Sequence, residues 1–362
     1  MIEYLGLENF RSHASQSFDL TNQSGIAKIV GFVGKNGAGK TNILEAISMI
    51  DGSKGLRGAK VEEVCKKDSG GNFKVVCDID GERILLEGLK TRKKFALNGN
   101  PLKSFQEVAG MVSTIWVSSE LEYLFAHSQS TRRDFFDKMT FCFFNNHYAL
   151  LAKAAKLCSE RLNAIMQTAD DVKNSPQDLL NSIAFCEDVL SETIIQIMQN
   201  RLAMLAAVNT CLDALGTIYL ASLKQELKKF EVKAITKQDV RLILEQNRQK
   251  DKWTKQTTFN HQKITTQLRV KGKIEGLDEF SAGETKFVLT ELCFAFAASL
   301  KKINPRRHIV LILDDLFAKL DAKNLDLIIK YIEGWSFGQV FFSSTSAIAH
   351  KEDDPRYKIF VL

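Results

Sequence analysis

Residues 34–41 read Gly34-Lys35-Asn36-Gly37-Ala38-Gly39-Lys40-Thr41. This is G-x-x-x-x-G-K-[ST], set directly after a short apolar run (IAKIVGFV, 26–33) and directly before a helix-forming stretch (NILEAISMI). A loop of this kind cradles phosphates. Its glycines reach backbone angles that turn successive N–H groups toward an anion. The positive end of the next helix dipole lies beneath them. The Lys40 ammonium can reach β- and γ-phosphates, and the Thr41 hydroxyl can ligate Mg²⁺. Such a loop needs an acid to hold the metal. Residues 309–315 run Ile-Val-Leu-Ile-Leu-Asp314-Asp315, an apolar strand ending in two acids. Asp314 is expected to share the metal with Thr41. Asp315 is expected to orient the attacking water or take its proton, with Lys40 as the third catalytic group. The chemistry these residues suit is Mg²⁺-assisted cleavage of a nucleoside triphosphate.

The surrounding pattern must bring two distant segments together. Short strands are expected at 26–33, 73–79, 83–87, 93–97 and 113–117, with turns at Asp80-Gly81 and at Asn98-Gly99-Asn100 ahead of Pro101. From about 120 to 225 Gly and Pro almost vanish and helical spacing takes over. Leu151, Ala155, Cys158, Leu162 and Ile165 form one stripe, and a second stripe runs from Ile183 to Leu215. The polar stretch 168–177 breaks the two, so they should pack as antiparallel helices. Apolar strands return at 308–313, 339–343 and 358–362, alternating with helices at 284–302 and 323–333. Alternation of this kind means a sheet with parallel strands and helices on its faces. The expected fold is α/β: a mixed sheet flanked by helices, with added antiparallel strands, and an all-helical lobe inserted in it. The expected boundaries are 1–118 and 226–362 for the two halves of the α/β part and 119–225 for the lobe.

Composition narrows the class. The chain has 362 residues, 45% hydrophobic and 25% charged, which excludes a disordered or fibrous chain. No apolar run approaches a membrane span, and Glu3 and Glu8 interrupt the start, so neither a membrane segment nor a signal peptide is expected and the location should be cytoplasmic. Seven scattered cysteines without a C-x-x-C pair read as reduced thiols, not as a disulfide framework or zinc site. The net charge of +6 is a weak pointer to a polyanionic partner.

Phe280-Ser281-Ala282-Gly283-Glu284 precedes a long apolar stretch. Read by itself, Ser281 is a helix N-cap. The segment also resembles the L-S-G-G-Q signature of ABC-type ATPases, and Leu320-Asp321 resembles their D-loop. That resemblance implies that Ser281, Gly283 and Asp321 meet ATP held by a second subunit, hence an ATP-dependent homodimer. Transporter subunits carry the signature soon after the phosphate loop. Here most of the chain separates Lys40 from Ser281, which is similar to the SMC branch with a short lobe in place of a coiled coil.

Further segments sharpen this: Leu7-Glu8-Asn9-Phe10-Arg11, Gly55-Leu56-Arg57-Gly58-Ala59, Thr131-Arg132-Arg133-Asp134-Phe135-Phe136-Asp137 and Leu313–Asp321. Together they resemble the bacterial RecF family across almost the whole chain. The resemblance implies an ABC/SMC-type P-loop ATPase head and Arg11 near the nucleotide phosphates. It also implies DNA binding by the ATP dimer at single-strand gaps or gapped duplex, recombinase loading, RecR and RecO-type partners, and slow hydrolysis used as a switch. The chain departs from the family where a G-P-H-R-D-D-like run is usual: residues 257–264 read Thr-Thr-Phe-Asn-His-Gln-Lys-Ile, with His261 a remnant. Ser343-Ser344-Thr345 stands where the ABC class often has His, and Ser118-Ser119-Glu120 where a Q-loop glutamine is usual.

The candidate DNA contacts are Lys90, Arg92, Lys93 and Lys94, a basic run that suits phosphate neutralisation, or equally a charged edge that keeps the sheet soluble. Two rival readings remain at this point. One is an SMC-like ATPase partnered with a nuclease; the other is a scaffold that holds ATP without cleaving it.

Overall fold

A computed structural model describes residues 1–67, 69–118, 129–214, 219–225, 235–270, 282–315, 322–345 and 354–362. The chain divides into two compact units: Met1–Phe125 with Glu279–Leu362, here termed the head, and Ala126–Asp278, the lobe.

The N-terminal part of the head carries β1 (Ile2–Phe10), β2 (His13–Asp19), the two-residue strands β3 (Thr21–Asn22) and β4 (Gly25–Ile26), β5 (Ile29–Val33), α1 (Lys40–Ser48), α2 (Val61–Val64), β6 (Asn72–Ile79), β7 (Glu82–Leu89), β8 (Arg92–Leu97), β9 (Asn100–Pro101), α3 (Gln106–Met111) and β10 (Val112–Val117). The lobe carries α4 (Gln129–Phe143), α5 (His147–Met166), α6 (Gln177–Ala214), β11 (Tyr219–Gln225), α7 (Lys237–Gln246), α8 (Arg248–Thr254) and β12 (Ile264–Val270). The head resumes with α9 (Ala282–Ile303), β13 (His308–Leu313), α10 (Ala322–Glu333), β14 (Gly338–Ser344) and β15 (Tyr357–Val361).

Two sheets build the head. Antiparallel strands order as β2-β1-β6-β7-β8-β9. Their turns are set by local chemistry: Asp80-Gly81 and Asn98-Gly99 all hold positive φ, the primed turn that matches strand twist. Period-2 alternation buries Phe73, Val75, Cys77 and Ile79 of β6 against the core. The second sheet orders as β10-β13-β14-β5-β15, and every pairing in it is parallel. All five residues of β5 are buried, as a central parallel strand requires. The apolar run expected at 26–33 is split: Gly25–Ile26 pairs with Thr21–Asn22, and the sheet strand starts at Ile29.

The lobe is helical with one antiparallel ribbon, β11-β12, in addition. The helices α5 and α6 pack through Ala154, Leu190, Ile194, Ile197 and Met198. Its C-terminal end falls at Asp278, beyond the expected 225. The rise in charge after 226 reads as a change of domain, yet Val240, Ile243 and Leu244 of α7 join the α5–α6 core. The charged residues that follow are internal as well. Arg161, fully buried, donates to Glu187 at 3.0 Å, to Asp251 at 2.6 Å and to the Leu244 carbonyl at 2.6 Å. Arg248 adds a second guanidinium on Glu187. The pairing leaves few lone pairs unmet, the condition under which buried ions are tolerated.

Candidate functional site

The head's parallel sheet explains how residues far apart in sequence meet. The strand β5 runs into the phosphate loop and β13 runs into Asp314-Asp315; β14 lies between them, so its C-terminal end abuts both. Ligands in open parallel sheets bind beyond these strand ends. Gly34 N–H donates to the Ser344 carbonyl at 3.2 Å, which fixes the loop's first turn to β14. Gly37 and Gly39 hold φ of +87° and +91°. At Gly39 a Cβ would stand 2.6 Å from His13 Nε2, so both conformation and space demand glycine there. Gly39 then caps α1, whose first residue is Lys40. The Lys40 Nζ donates to the carbonyls of Gly34 at 2.7 Å and Lys35 at 2.9 Å, spanning the loop.

The acids sit opposite. Thr41 Oγ1 donates to Asp314 Oδ1 at 2.9 Å, and Ser343 Oγ donates to the same oxygen at 2.7 Å. Ser343 Oγ also accepts the Asp315 N–H at 2.9 Å. Asp315 is exposed and holds φ of +53°, a left-handed conformation uncommon outside glycine and asparagine. Burial pushes the Asp314 carboxyl above the usual carboxylate range, while the Ser343 and Thr41 hydroxyls pull it the other way. A cleft of about 360 Å³ lies between the loop and the acids. The donor set fits a hard cation: a carboxylate and a hydroxyl oxygen already within hydrogen-bond distance, beside a loop suited to polyphosphate. Thr41 and Asp314 are the residues that would hold Mg²⁺.

Of the expected site residues, Asn36, Gly37, Gly39, Lys40, Thr41, Asp314 and Asp315 line this cleft together. Gly34, Lys35 and Ala38 form the loop backbone behind it. Arg11 is not among the residues that line the cleft. Its guanidinium grips Glu45 at 2.8 and 2.6 Å and the Glu63 carbonyl at 2.6 Å, because the Glu45 carboxylate is buried and must be met. Gly283 lies in the first turn of α9. Ser281 and Asp321 lie outside the described residues, as do Ser119 and Glu120.

Ser12, Asn42 and Arg57, to which the sequence reading assigned no site role, also line the cleft. Asn42 Nδ2 donates to Ser12 Oγ at 2.8 Å, and Arg57 donates to Asn42 Oδ1 at 3.0 Å and to Glu45 Oε2 at 3.1 Å. Arg57 is brought back over α1 by a tightly bonded loop. Asp51 Oδ2 accepts from Thr114 N at 2.9 Å and Thr114 Oγ1 at 2.7 Å, and Leu56 N–H donates to Ser48 Oγ at 2.7 Å. The available signal was a lone Arg in a glycine-flanked turn just past the loop's helix.

The basic run is partly spent on structure. Lys93 Nζ donates to the Ser53 carbonyl at 2.9 Å. Lys94 stands opposite Glu87 in the β7–β8 ladder, and Glu87 also pairs with Lys74 at 3.6 Å. Lys90 and Arg92 are exposed at the β7–β8 turn. The segment 257–264 is structural too: Phe259 is buried, Thr257 donates to the Cys158 carbonyl at 3.2 Å, and Arg201 donates to the carbonyls of His261 at 3.0 Å and Ile264 at 2.7 Å. Asp137 accepts from Arg201 on both carboxylate oxygens, at 2.8 Å each.

No helix among the described residues is long and apolar enough to cross a membrane, and no cluster of three metal-ligating side chains occurs among them. All seven cysteines are free.

Comparison with known proteins agrees with the resemblance read from the motifs. The DNA replication and repair protein RecF of Rickettsia felis (strain ATCC VR-1525 / URRWXCal2) is 28% identical over 344 residues, covering 91% of this chain and 89% of that protein. RecF of Rickettsia africae (strain ESF-5) is 28% identical over 361 residues, covering 94% and 93%. Among solved structures, the recombination mediator protein RecF-ATPrS in the RecFOR pathway superposes with a TM-score of 0.80 at 21% identity, over 100% of this chain and 96% of that one. RecF-ATP in the same pathway gives 0.78 at 20% identity, over 96% and 92%. These two share the fold of this chain, an α/β head with an inserted lobe. The family described as RecF/RecN/SMC N terminal domain matches residues 1–361, and the chain belongs to that family.

Proposed function

We propose that this protein is a RecF-like, ATP-driven DNA-binding protein of replication and recombinational repair. The observation that carries the reading is the meeting of Lys40, Thr41 and Asp314-Asp315 at one cleft, with Thr41 Oγ1 and Asp314 Oδ1 2.9 Å apart. The phosphate loop N–H groups and Lys40 hold the β- and γ-phosphates of ATP. Bound Mg²⁺ would neutralise charge developing on the phosphates. Asp315 orients the attacking water, and its exposed position at the mouth of the cleft suits that role. Hydrolysis is slow and acts as a switch. Two heads sandwich ATP, with Ser281 and Gly283 of one copy serving the phosphate loop of the other. The ATP dimer binds DNA at single-strand gaps and supports recombinase loading with RecR and RecO-type partners. This takes place in the cytoplasm. The relatives' names and the RecFOR setting of the solved neighbours support this reading.

The test is sizing by light scattering, with and without ATP and Mg²⁺. The parent should double in mass only with both, and Ser281→Arg should stay single while still binding nucleotide. A parent that binds ATP and remains a monomer at every concentration would refute the sandwich.

A further inference from the structure

Three tryptophans occur in the chain, and they are used differently. Trp335 is 4% exposed and Trp116 is half-buried, both in the head. Trp253, on α8 of the lobe, is 85% exposed. A bare indole on a loose loop would mean little. This one is held by a segment fixed from several sides. Asp251, two positions earlier on the helix, is fully buried; its Oδ2 accepts from Arg161 at 2.6 Å and its Oδ1 from Thr258 N at 2.8 Å. Two residues on a helix lie about 200° apart, so anchoring Asp251 inward turns Trp253 outward. Gln249 bonds the Asp170 carbonyl at 2.9 Å and accepts from Val172 N–H at 3.1 Å. Lys252 Nζ donates to the carbonyls of Thr168 and Ala169, each at 2.6 Å. The indole is presented by an ordered backbone, so a ligand need not order it.

Charge around the indole is one-sided on its own segment. Lys250 and Lys255 are exposed on either side of it, and Lys252 spends its ammonium on neutral carbonyls, which leaves its charge in place. Among the described residues none of these three lysines is ion-paired with a carboxylate. The acid within the segment, Asp251, is already cancelled by Arg161. The neighbouring turn adds Lys173 along with Asp170 and Asp171, so the local sum stays positive.

We propose that Trp253, with Lys250, Lys252 and Lys255, forms a stacking platform for single-stranded nucleic acid. A flat aromatic face flanked by ammonium groups matches an unstacked base and its phosphates, whatever the base. A duplex offers such a face only at its ends, so the ligand class is the unpaired strand. The site rests on the proposed DNA-binding function and adds to it a contact on the lobe.

The full chain is titrated with an oligothymidylate of about twenty nucleotides while tryptophan emission is followed. A stacked thymine should quench the exposed indole in a saturable, salt-sensitive way. Trp253→Ala should abolish the quench and weaken single-strand binding, read by anisotropy of a labelled oligothymidylate, on the order of tenfold. Trp253→Phe should keep most of that affinity. Lys250→Glu with Lys255→Glu should lower the log–log salt slope by about 1.4. Melting curves check that these surface changes leave the fold intact.

Binding of a gapped duplex is measured in parallel. If the gapped duplex binds but Trp253→Ala takes up oligothymidylate as tightly as the parent, the platform is refuted and the DNA-binding function stands. If the parent binds neither DNA, both fall. A Trp253→Ala variant with unchanged strand binding but reduced self-association would assign the face to a second copy of the chain and overturn the proposal.

Discussion

Ser343 joins the two acids of the cleft, and removing its hydroxyl should show how much of the metal site depends on that joint. The hydroxyl is buried, donates to Asp314 Oδ1 at 2.7 Å and accepts the Asp315 N–H at 2.9 Å. The first bond goes to a carboxylate and contributes about 1.5–3 kcal/mol; the second is an ordinary amide bond of about 1 kcal/mol. Water from the cleft can replace part of both, so Ser343→Ala should destabilise the protein by about 2 kcal/mol, a few degrees in Tm. The larger effect is positional. With only Thr41 left as a donor, the Asp314 carboxylate is free to rotate, and the left-handed Asp315 loses the bond that holds its backbone. Nucleotide affinity in Mg²⁺ should fall by tenfold or more, which is about 1.4 kcal/mol. Affinity in excess chelator should stay within twofold, because the phosphate loop is untouched. Ser343→Thr should restore the parent's behaviour. The assay is titration of a fluorescent ATP analogue, with Mg²⁺ and with chelator, beside thermal melts. Equal losses with and without metal would show that the substitution merely loosens the head. No loss in either would show that Ser343 positions nothing.

Other perturbations probe the remaining parts. Asp315→Asn should cut ATP hydrolysis by a hundredfold or more and trap the ATP-bound dimer, as seen by phosphate release and light scattering; hydrolysis at the parent's rate would remove Asp315 from its role. His261 is held down to about pKa 4, first by burial and then by the charges of Arg201 and Arg133, against an opposing pull from Asp137. The unfolded chain takes up this proton near pH 6.5 and the folded lobe does not, so stability should fall as pH drops from about 6.5 to about 4, by roughly 3 kcal/mol in all. Urea midpoints across that range should slope in the parent, and the slope should shrink in His261→Gln. Arg161→Met should cost about 3–5 kcal/mol in urea unfolding, since it strands Asp251 and half of Glu187 inside the lobe; a cost under 1 kcal/mol would contradict the buried network.

The site was legible where chemistry and pattern coincide. Gly37, Gly39, Lys40 and Thr41 occupy fixed spacings because loop geometry allows no others, and the strand before Asp314 is apolar because a central parallel strand is covered on both faces. The paired turns at Asp80 and Asn98 were readable for the same reason: only a few residues adopt the required φ. What the pattern hid was destination. Arg57 reaches the cleft through a loop fastened by Asp51, Thr114 and Ser48, residues whose types carry no sign of that role. The lobe's true end was hidden by charge: Arg248 and Asp251 look like a solvated helix but face inward to Glu187 and Arg161.

Much of the charge that reads as functional in the sequence is consumed by the fold. Arg11 meets Glu45, and Lys94 stands across from Glu87. Each of these would pay a desolvation or pairing penalty to turn toward a nucleic acid, so a basic run on a sheet is poor ground for locating DNA. The β8 face makes the point in one row: Glu8, Lys74, Glu87 and Lys94 are cross-strand neighbours, alternating in sign. Alternation of that kind stabilises a sheet and cancels its field at the distance of a phosphate. Contacts to DNA must come from cations that the fold leaves without a carboxylate. By that criterion Lys250, Lys252 and Lys255 around Trp253 are better placed than Lys94, which faces Glu87 across the ladder. Charge reversal at Lys250 should therefore weaken single-strand binding more than reversal at Lys94. The opposite ranking would return the contact to the sheet.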